Sequence, residues 1–445
     1  MRNTGRGVKS PAVATVNTAT RQLAHMQIRR IDALSDDERA QLVERSSSAD
    51  VEEDVRPILE RVRERGDEAL REYTQEFDGV EVEGIRIREE HIREARAACD
   101  DDVVRAIEDA AERIRGFHRN QTREDWSETE DGIEVGRRFV PLSSAGAYVP
   151  GGGAAYPSTA LMTVIPAQVA GVERVVACTP PPVPDATLAA LEVAGADAVY
   201  RVGGAQAVAA MGYGTETVEP CDAVVGPGNV YVTEAKRRVR DDDEARIEFP
   251  AGPSEILVIA DETADAKNVA ADMVAQIEHD ADATAVLAAS DGDLADEVAD
   301  EVERRIEGAE RRETMQDATC EVLLGDLDGC IEFANEYAPE HLSVVTRDDD
   351  AVLERIRNAG SVFLGTQTPV AAGDYATGTN HVLPTGGGAS LHGGLGVDDF
   401  VRATTYQRLG ADGVERLAET VTTLARAEGL EAHARSVEQR LEPED

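Results

Sequence analysis

The residues of this chain best suited to chemistry lie within 335–388. The segment NEYAPEHL ends in Glu340 and His341, and the Gly-rich stretch GDYATGTNHVLPTGGG carries Asp374 and His381. A carboxylate beside an imidazole suits general acid/base catalysis near neutral pH. Loops that combine Gly, Asp, Asn and His commonly bind a ligand. We therefore expect a functional site in this segment.

Glu340 and His341 follow Pro339, which ends the helical pattern before them. Outside a helix, two adjacent side chains can both reach one cavity. The alternative is a polar surface turn, which the dipeptide taken alone slightly favours.

A second candidate pair is Gln276 and His279, near the end of the helical pattern DAKNVAADMVAQIEH. A spacing of three puts both side chains on one helix face. A histidine there more often satisfies the last carbonyl groups of the helix than binds a metal. A metal site needs further ligands; Asp374 and His433 are candidates, but spacing cannot bring them together.

Three Gly-rich loops at the ends of predicted strands are candidates for ligand binding. Glycine permits positive φ and a close approach of ligand to backbone, and open α/β sheets bind ligands at strand carboxyl ends. Tight connections between elements are the alternative interpretation. The common GxGxxG, P-loop and HExxH signatures are absent. The loops are GAYVPGGGAAYP, GGAQAVAAMGYGT and VGPGNVY, residues 146–157, 203–215 and 225–231.

The elements that must position these residues alternate between helices and strands. Residues 35–120 are helical by pattern, and from about Ile133 short β-branched runs alternate with amphipathic stretches. This predicts an α/β fold of two Rossmann-like, doubly wound domains with a ligand cleft between them. The tail from Gly396 reads as helical and long enough to pack on another subunit. The predicted strands are RVVAC, DAVYRV, DAVVG, EILVIA, TAVLAAS, CEVLLG, LSVVT and SVFLG.

The charge balance is strongly acidic. The 445 residues include 87 Asp and Glu against 45 Lys and Arg, a net charge of -42, and the only lysines are Lys9, Lys236 and Lys267. An acidic surface in which arginine replaces lysine predicts adaptation to high salt, and it argues against nucleic-acid binding. The basic run AKRRVR at 235–240 is interpreted as one face of a solvated helix.

Cysteine usage and apolar runs bear on the compartment. Five cysteines without a CxxC pair predict reduced, mostly buried thiols and a cytoplasmic protein. The sequence contains no run of about 18 apolar residues, so we expect no segment to span a membrane. Residues 1–25 lack the apolar core of a signal peptide, and their polar composition predicts a disordered extension.

Nine segments, taken in order, resemble the histidinol dehydrogenase family from roughly Met26 to Arg440. That resemblance implies a zinc-dependent homodimer that oxidises L-histidinol through L-histidinaldehyde to L-histidine with two NAD, the last steps of histidine biosynthesis. The segments are GAYVPGG, YPSTALM, GGAQAVAA, VGPGNVYVTEAKR, AGPSEILVIAD, AQIEHD, NEYAPEHL, GDYATGTNHVLPT and EGLEAHARSV.

The family pattern implies two Rossmann-like domains with small helical N- and C-terminal extensions. After the disordered residues, we expect an N-terminal extension, a first domain in two pieces, a second domain, and a C-terminal helical domain that reaches the partner subunit. These expected ranges are 26–45, 46–147 plus 256–395, 148–255 and 396–445.

The resemblance also implies a role for each site residue. Glu340 activates water for attack on the aldehyde, and His341 serves as acid/base. The implied zinc ligands are Gln276, His279, Asp374 and His433, the last supplied by the partner subunit. The zinc ligands and His341 also count as substrate contacts, together with Ser254, His381 and Glu428. The implied NAD contacts are Tyr148, Gln206 and Asn229.

Two other functions remain open. One is a dehydrogenase of the same fold that acts on another hydroxylated substrate. The other is a zinc hydrolase with Glu340 as its base, which the metal-ligand cluster alone would allow.

Overall fold

A computed structural model of the chain describes residues 26–44, 51–151, 154–278 and 280–442. The predicted disordered extension, 1–25, lies outside these ranges, and so does His279. The strands are β1 (Ile28–Arg30), β2 (Trp126–Glu130), β3 (Ile133–Pro141), β4 (Ser144–Tyr148), β5 (Arg174–Thr179), β6 (Ala198–Arg201), β7 (Ala223–Val225), β8 (Arg246–Ile247), β9 (Glu255–Ala260), β10 (Thr284–Ala289), β11 (Thr319–Leu324), β12 (His341–Val345), β13 (Ser361–Leu364) and β14 (Val401–Leu409).

Helices connect most of these strands. They are α1 (Asp36–Val43), α2 (Glu52–Arg65), α3 (Asp67–Tyr73), α4 (Glu89–Ala98), α5 (Asp101–Arg119), α6 (Pro157–Ala170), α7 (Asp185–Ala194), α8 (Gly204–Tyr213), α9 (Val230–Asp241), α10 (Ala266–Ile277), α11 (Gly292–Glu307), α12 (Arg312–Asp317), α13 (Leu327–Tyr337), α14 (Asp349–Leu353), α15 (Val370–Tyr375), α16 (Ala411–Ala427) and α17 (Glu431–Glu438).

Two parallel sheets form the architecture. In the described part of the chain, one sheet has the strand order β1-β11-β10-β9-β12-β13 and the other β6-β5-β4-β7-β8. Neighbouring strands in both sheets run parallel. The strands predicted from the sequence are present as β5 to β7 and β9 to β13. The predicted α/β fold class is confirmed.

Helices cover both faces of each sheet. The apolar run EILVIA of β9 is buried throughout, as expected of a parallel strand packed on both sides. On the six-stranded sheet, α10 and α11 pack on one face and α13 on the other. On the five-stranded sheet, α4 to α7 pack on one face and α2, α3, α8 and α9 on the other.

The grouping of helices differs from the expected division at one point. The expected division groups 46–147 with 256–395 and makes 148–255 the second domain. The structure packs α2 to α5 on the five-stranded sheet, where the N–H of Ile87 also donates to the carbonyl of Val199 at 2.8 Å. The expected boundary falls inside β4. An all-helical segment shows an apolar face in its sequence but not which sheet that face covers.

The two terminal regions contain strands as well as helices. β1 is an edge strand of the six-stranded sheet, and the tail expected to be helical from Gly396 includes β14. β14 pairs antiparallel with β3 along its length, and β3 pairs with β2. Most side chains of β2 and β14 are exposed, so these strands lack the alternation of apolar and polar residues that reveals a half-buried strand.

The basic run in α9 is only partly solvated. Arg237 and Arg238 both pair with Glu234 and retain exposed surface, but the side chain of Lys236 has no exposure and pairs with Glu248. The interpretation of this run as a solvated face is therefore wrong for Lys236.

Two other expectations about the chain can be compared with the structure. The five cysteines are free thiols, and Cys178, Cys221 and Cys330 are buried, as predicted. Among the described residues, none of the helices combines the length and the apolar character needed to cross a membrane.

Candidate active site

Glu340 is buried at the amino ends of two neighbouring strands. It precedes β12, and its Oε2 accepts hydrogen bonds from Ser254 Oγ and from the backbone N–H of Glu255, both at 2.8 Å, at the start of β9. Its exposed fraction is 5%, so the surface-turn interpretation is wrong. Burial raises the pKa of Glu340 to about 7, although His341 and the hydrogen bonds from Glu255 and Ser254 lower it. The carboxyl group can therefore take up a proton near neutral pH.

His341, the first residue of β12, is held through both ring nitrogens. Nδ1 donates to the backbone carbonyl of Glu255 at 3.2 Å, which places a proton on Nδ1. Nε2 lies 3.3 Å from Oδ1 of Asp374, an ion-pair distance without the alignment of a hydrogen bond. Burial alone lowers the pKa of His341, but the carboxylates of Glu340 and Asp374 outweigh it and raise the pKa to about 9. Nε2 is the nitrogen that can exchange a proton.

His381 joins the two sheets at this site. Its Nδ1 donates to the backbone carbonyl of Asp374 at 3.0 Å, and its Nε2 lies 3.0 Å from Oγ1 of Thr159. Asp374 lies in α15, which follows the six-stranded sheet, whereas Thr159 lies in the first turn of α6, which follows β4. The predicted loop residue His381 therefore connects the acid/base pair to the five-stranded sheet.

Gln276 and Asp374 line one cavity of about 230 Å³, which we call the first cavity. Gln276 lies in the last turn of α10 with its side chain buried, and its Nε2 has no hydrogen-bond partner. Asp272 also lines the first cavity; burial and the nearby charge of Asp374 raise its pKa to about 6, against a hydrogen bond from Val370 that lowers it.

The donors of the first cavity suit a divalent cation. A buried amide without a partner can turn its oxygen inward, beside a carboxylate of the kind that binds zinc. Among the described side chains, no group of three or more His, Cys, Asp or Glu residues is arranged so that it could hold a metal ion. Of the other implied zinc ligands, His279 lies outside the described residues, and the ligand set stays a prediction.

A second cavity of about 870 Å³ contains the three predicted NAD contacts. Tyr148, Gln206 and Asn229 all line it, beyond the carboxyl ends of β4, β6 and β7, the edge at which open α/β sheets bind ligands. The Tyr148 hydroxyl accepts a hydrogen bond from the N–H of Gly204 at 3.1 Å, where α8 begins. Backbone N–H groups at a helix N-terminus suit a phosphate group, so the second cavity fits a dinucleotide.

Acidic and aromatic side chains complete the second cavity. Phe77, Asp78, Asp54 and Tyr231 line it, and the first two end a π-helical turn after α3. One carboxylate oxygen of Asp78 is buried without a hydrogen-bond partner, and burial raises the pKa of this residue. Tyr231 ends the predicted loop VGPGNVY, but the other three residues were not identified from the sequence; FDG, for example, reads as an ordinary helix end.

Glu428 and His433 lie apart from both cavities. Both side chains are exposed. Glu428 directly follows α16, and His433 lies in α17; these helices pack against each other, and α16 also packs against β14. Among the described contacts, none brings either residue to the first cavity of its own chain.

Comparison with known proteins identifies the family. A family model described as histidinol dehydrogenase matches residues 42–441. The chain belongs to the histidinol dehydrogenase family. It is 56% identical over 425 residues to histidinol dehydrogenase of Haloarcula marismortui, covering 94% of this chain and 100% of that protein. The protein of that name from Methanocaldococcus jannaschii is 47% identical over 94% of this chain and 99% of its own length.

A solved structure of the same family also matches this chain. The crystal structure of histidinol dehydrogenase from Elizabethkingia anophelis matches with a TM-score of 0.89 and 37% identity, covering 94% of this chain and 98% of that one. The chain is therefore a histidinol dehydrogenase family oxidoreductase along nearly its whole length.

Within this family member, several buried partners of the acid/base pair were not identified from sequence. The N–H and the carbonyl of Glu255 bind Glu340 and His341, and its Oε1 accepts the backbone N–H groups of Glu340 at 3.3 Å and of Gly386 at 3.1 Å. Two residues outside this pair were also not identified: Thr159, which contacts His381, and Asp272, which lines the first cavity with Asp374. The segment AGPSE signals only that Ser254 is near a strand, and a Thr inside YPSTALM is not distinguishable from a core residue.

Proposed function

We propose that this protein uses zinc and NAD to oxidise L-histidinol through L-histidinaldehyde to L-histidine, and that the reaction takes place at the first cavity. These are the last steps of histidine biosynthesis. The observation that carries the proposal is the buried cluster of Glu340, His341 and Asp374, whose acid/base groups adjoin the first cavity, in a chain of the histidinol dehydrogenase family. The acidic composition favours a cytoplasm of high salt.

Gln276 and Asp374 are the described residues that would hold zinc, with His279 and with His433 of the partner subunit. Bound zinc would supply a template that orients the imidazole and amino groups of histidinol. The unpartnered Gln276 Nε2 supports this assignment, because turning the side-chain amide would place its oxygen at this position, where it could bind zinc.

The acid/base steps are assigned to two side chains. Because the pKa of Glu340 lies close to neutrality, this carboxylate can take a proton from the water that attacks the aldehyde. Its hydrogen bonds from Ser254 and Glu255 hold one oxygen in place. His341 moves protons at Nε2, while Nδ1 stays bound to the carbonyl of Glu255.

The remaining assignments concern cofactor and substrate contacts. Tyr148, Gln206 and Asn229 contact NAD, which accepts the hydrides. Ser254, His381 and Glu428 contact the substrate, together with His341 and the zinc ligands. The position of His381 between Asp374 and Thr159 supports its assignment, because it lies where the two sheets meet.

A homodimer with shared sites is supported by the C-terminal helices. Leu424 and Leu430 are 58% and 43% exposed, beside the exposed Glu428 and His433. Apolar side chains concentrated on a projecting element are typical of an interface. We propose that the partner subunit covers them and supplies His433 to the first cavity.

Two experiments test the proposal. Turnover of histidinol should give two NADH per histidine; a zinc hydrolase would give no NADH, and a dehydrogenase of another hydroxylated substrate would leave histidinol unchanged. For the shared site, His279→Ala and His433→Ala should each be inactive, and activity should return when the two are mixed under conditions of subunit exchange. If mixed dimers form and stay inactive, the shared site is ruled out.

A further inference from the structure

A buried ion pair lies behind the second cavity. Lys236 Nζ and Glu248 Oε1 are 2.6 Å apart, and neither side chain has any exposed surface. Removing two charges from water costs about as much as their attraction returns, so such a pair is weak evidence for stability. Lysine is also rare in this chain, with only two others. The position of the pair therefore points to a role other than stability.

Both members of the pair bind the backbone of Gly226. Lys236 Nζ donates to the Gly226 carbonyl at 2.9 Å, and the Gly226 N–H donates to Glu248 Oε1 at 2.9 Å. Hydrogen bonds to charged groups are stronger than those between neutral groups. The pair therefore fixes both the N–H and the carbonyl of one residue.

Gly226 is the point at which the chain leaves β7 and enters a wall of the second cavity. Its φ of +122° suits glycine, and a Cβ there would lie 2.1 Å from the backbone oxygen of Tyr148. Gly228 and Asn229, which follow it, line the second cavity with Tyr148. The Asn229 side chain accepts the N–H groups of Tyr231 and Val232 and so caps α9, the helix that carries Lys236.

We propose that the Lys236–Glu248 pair positions the Gly226–Asn229 loop for NAD binding. Neither residue lines the second cavity, so both act through Gly226 and are positioning residues. The inference rests on the proposed use of NAD. Losing the pair should weaken NAD binding while hydride transfer at saturating NAD is preserved, because the acid/base groups belong to the other sheet.

The test separates positioning from stability by removing the charges together. Lys236→Met with Glu248→Met leaves no uncompensated charge, so the fold should persist, but both hydrogen bonds to Gly226 are lost. Lys236→Met with Glu248→Gln keeps an acceptor for the Gly226 N–H. The matched control is Arg29→Met with Glu321→Met, which removes an ion pair of 2.9 Å from the six-stranded sheet.

We expect the Met/Met variant to raise the Kd and KM for NAD by about tenfold, with kcat within about threefold and the KM for histidinol unchanged. The Met/Gln variant should recover part of the NAD affinity, and the control should bind NAD normally. Kd is measured by calorimetric titration of NAD, and Tm is measured for each variant.

Two results would overturn the inference. One is unchanged NAD affinity in a folded Met/Met variant. The other is a loss of NAD affinity in the control that matches the loss in the Met/Met variant at equal Tm. If the Met/Met variant does not fold, Lys236→Met with Glu248→Gln decides, because it leaves no uncompensated charge, loses the bond to the Gly226 carbonyl and should weaken NAD binding more than histidinol binding. Wild-type protein that neither binds NAD nor oxidises histidinol would instead contradict the proposed function.

Discussion

Replacement of Glu340 by Gln should separate the two oxidations. Gln keeps the size of the side chain and an oxygen that can accept the hydrogen bonds from Ser254 Oγ and the Glu255 N–H, but it cannot take a proton from water. A positioned general base contributes roughly 10² to 10⁴ in rate. Oxidation of L-histidinaldehyde should fall by about that factor, whereas the oxidation of L-histidinol to the aldehyde, which needs no attacking water, should fall less.

The pH dependence of aldehyde oxidation gives a second expected rate change for Glu340. The pKa of Glu340 is raised to about 7, so its ionised fraction rises from about 0.1 at pH 6 to about 0.9 at pH 8. Aldehyde oxidation by the wild type should therefore increase about tenfold across this range. In Glu340→Gln the remaining activity should lose this dependence, because the carboxyl that titrates is gone.

The assay supplies L-histidinol and L-histidinaldehyde separately and follows NADH in single turnovers. The variant should release close to one NADH per histidinol rapidly and the second slowly. Glu332→Gln, the same change on the exposed side of α13, is the matched control and should match the wild type. If Glu340→Gln oxidised the aldehyde within about threefold of the wild-type rate, Glu340 would not be the base.

Three further outcomes follow from charges elsewhere in the chain. Asp78→Asn should raise kcat/KM for NADP by about tenfold over wild type. The reason is that the described lining of the second cavity contains two carboxylates, which repel a 2′-phosphate, and no cationic side chain to bind it. Equal discrimination between NAD and NADP in the variant and the wild type would refute this. Burial raises the pKa of Asp399 to about 6, so its ionisation opposes folding above that pH. Asp399→Asn should therefore raise the free energy of unfolding by about 3 kcal/mol at pH 7 and by little near pH 4; urea titrations at both values check the sign, and an equal gain at pH 4 would contradict it. With a net charge of -42, the fold should lose far-UV circular dichroism in dilute buffer and keep it in concentrated KCl; an unchanged spectrum at low salt would disprove the adaptation to salt.

The sequence predicted the strands whose burial leaves an apolar run. It missed the exposed strands β2 and β14 and also the buried strand β4, whose sequence SAGAY is made mostly of small residues and shows no such run. β9 is a continuous run of apolar residues after Glu255, whereas β14 exposes most of its polar side chains. In the same way, Glu340 could be predicted as a functional residue from its type and its neighbours. Its burial could not, because that depends on β9 lying beside β12.

Long-range pairing also explains the residues that sequence reasoning misplaced. Lys236 lies in a basic run, and only the fold brings Glu248 against it. Similarly, the apolar faces of α2 to α5 are visible in the sequence, but their packing on the five-stranded sheet is a property of the assembled domains. Contacts between distant parts of the chain decide both cases.

The first cavity lies at the C-terminal end of one helix, and the second cavity lies at the N-terminal end of another. The partial charge of the helix backbone therefore has opposite signs at the two cavities. Gln276 lies in the last turn of α10 beside the first cavity, where the carbonyl end of the helix carries a partial negative charge. Gly204 opens α8 at the second cavity, where the amide end carries a partial positive charge. The backbone therefore favours a cation at one cavity and a phosphate at the other before any side chain is counted. The direction of the helices would thus favour a metal ion at one cavity and a dinucleotide at the other, even in a chain with a net charge of -42.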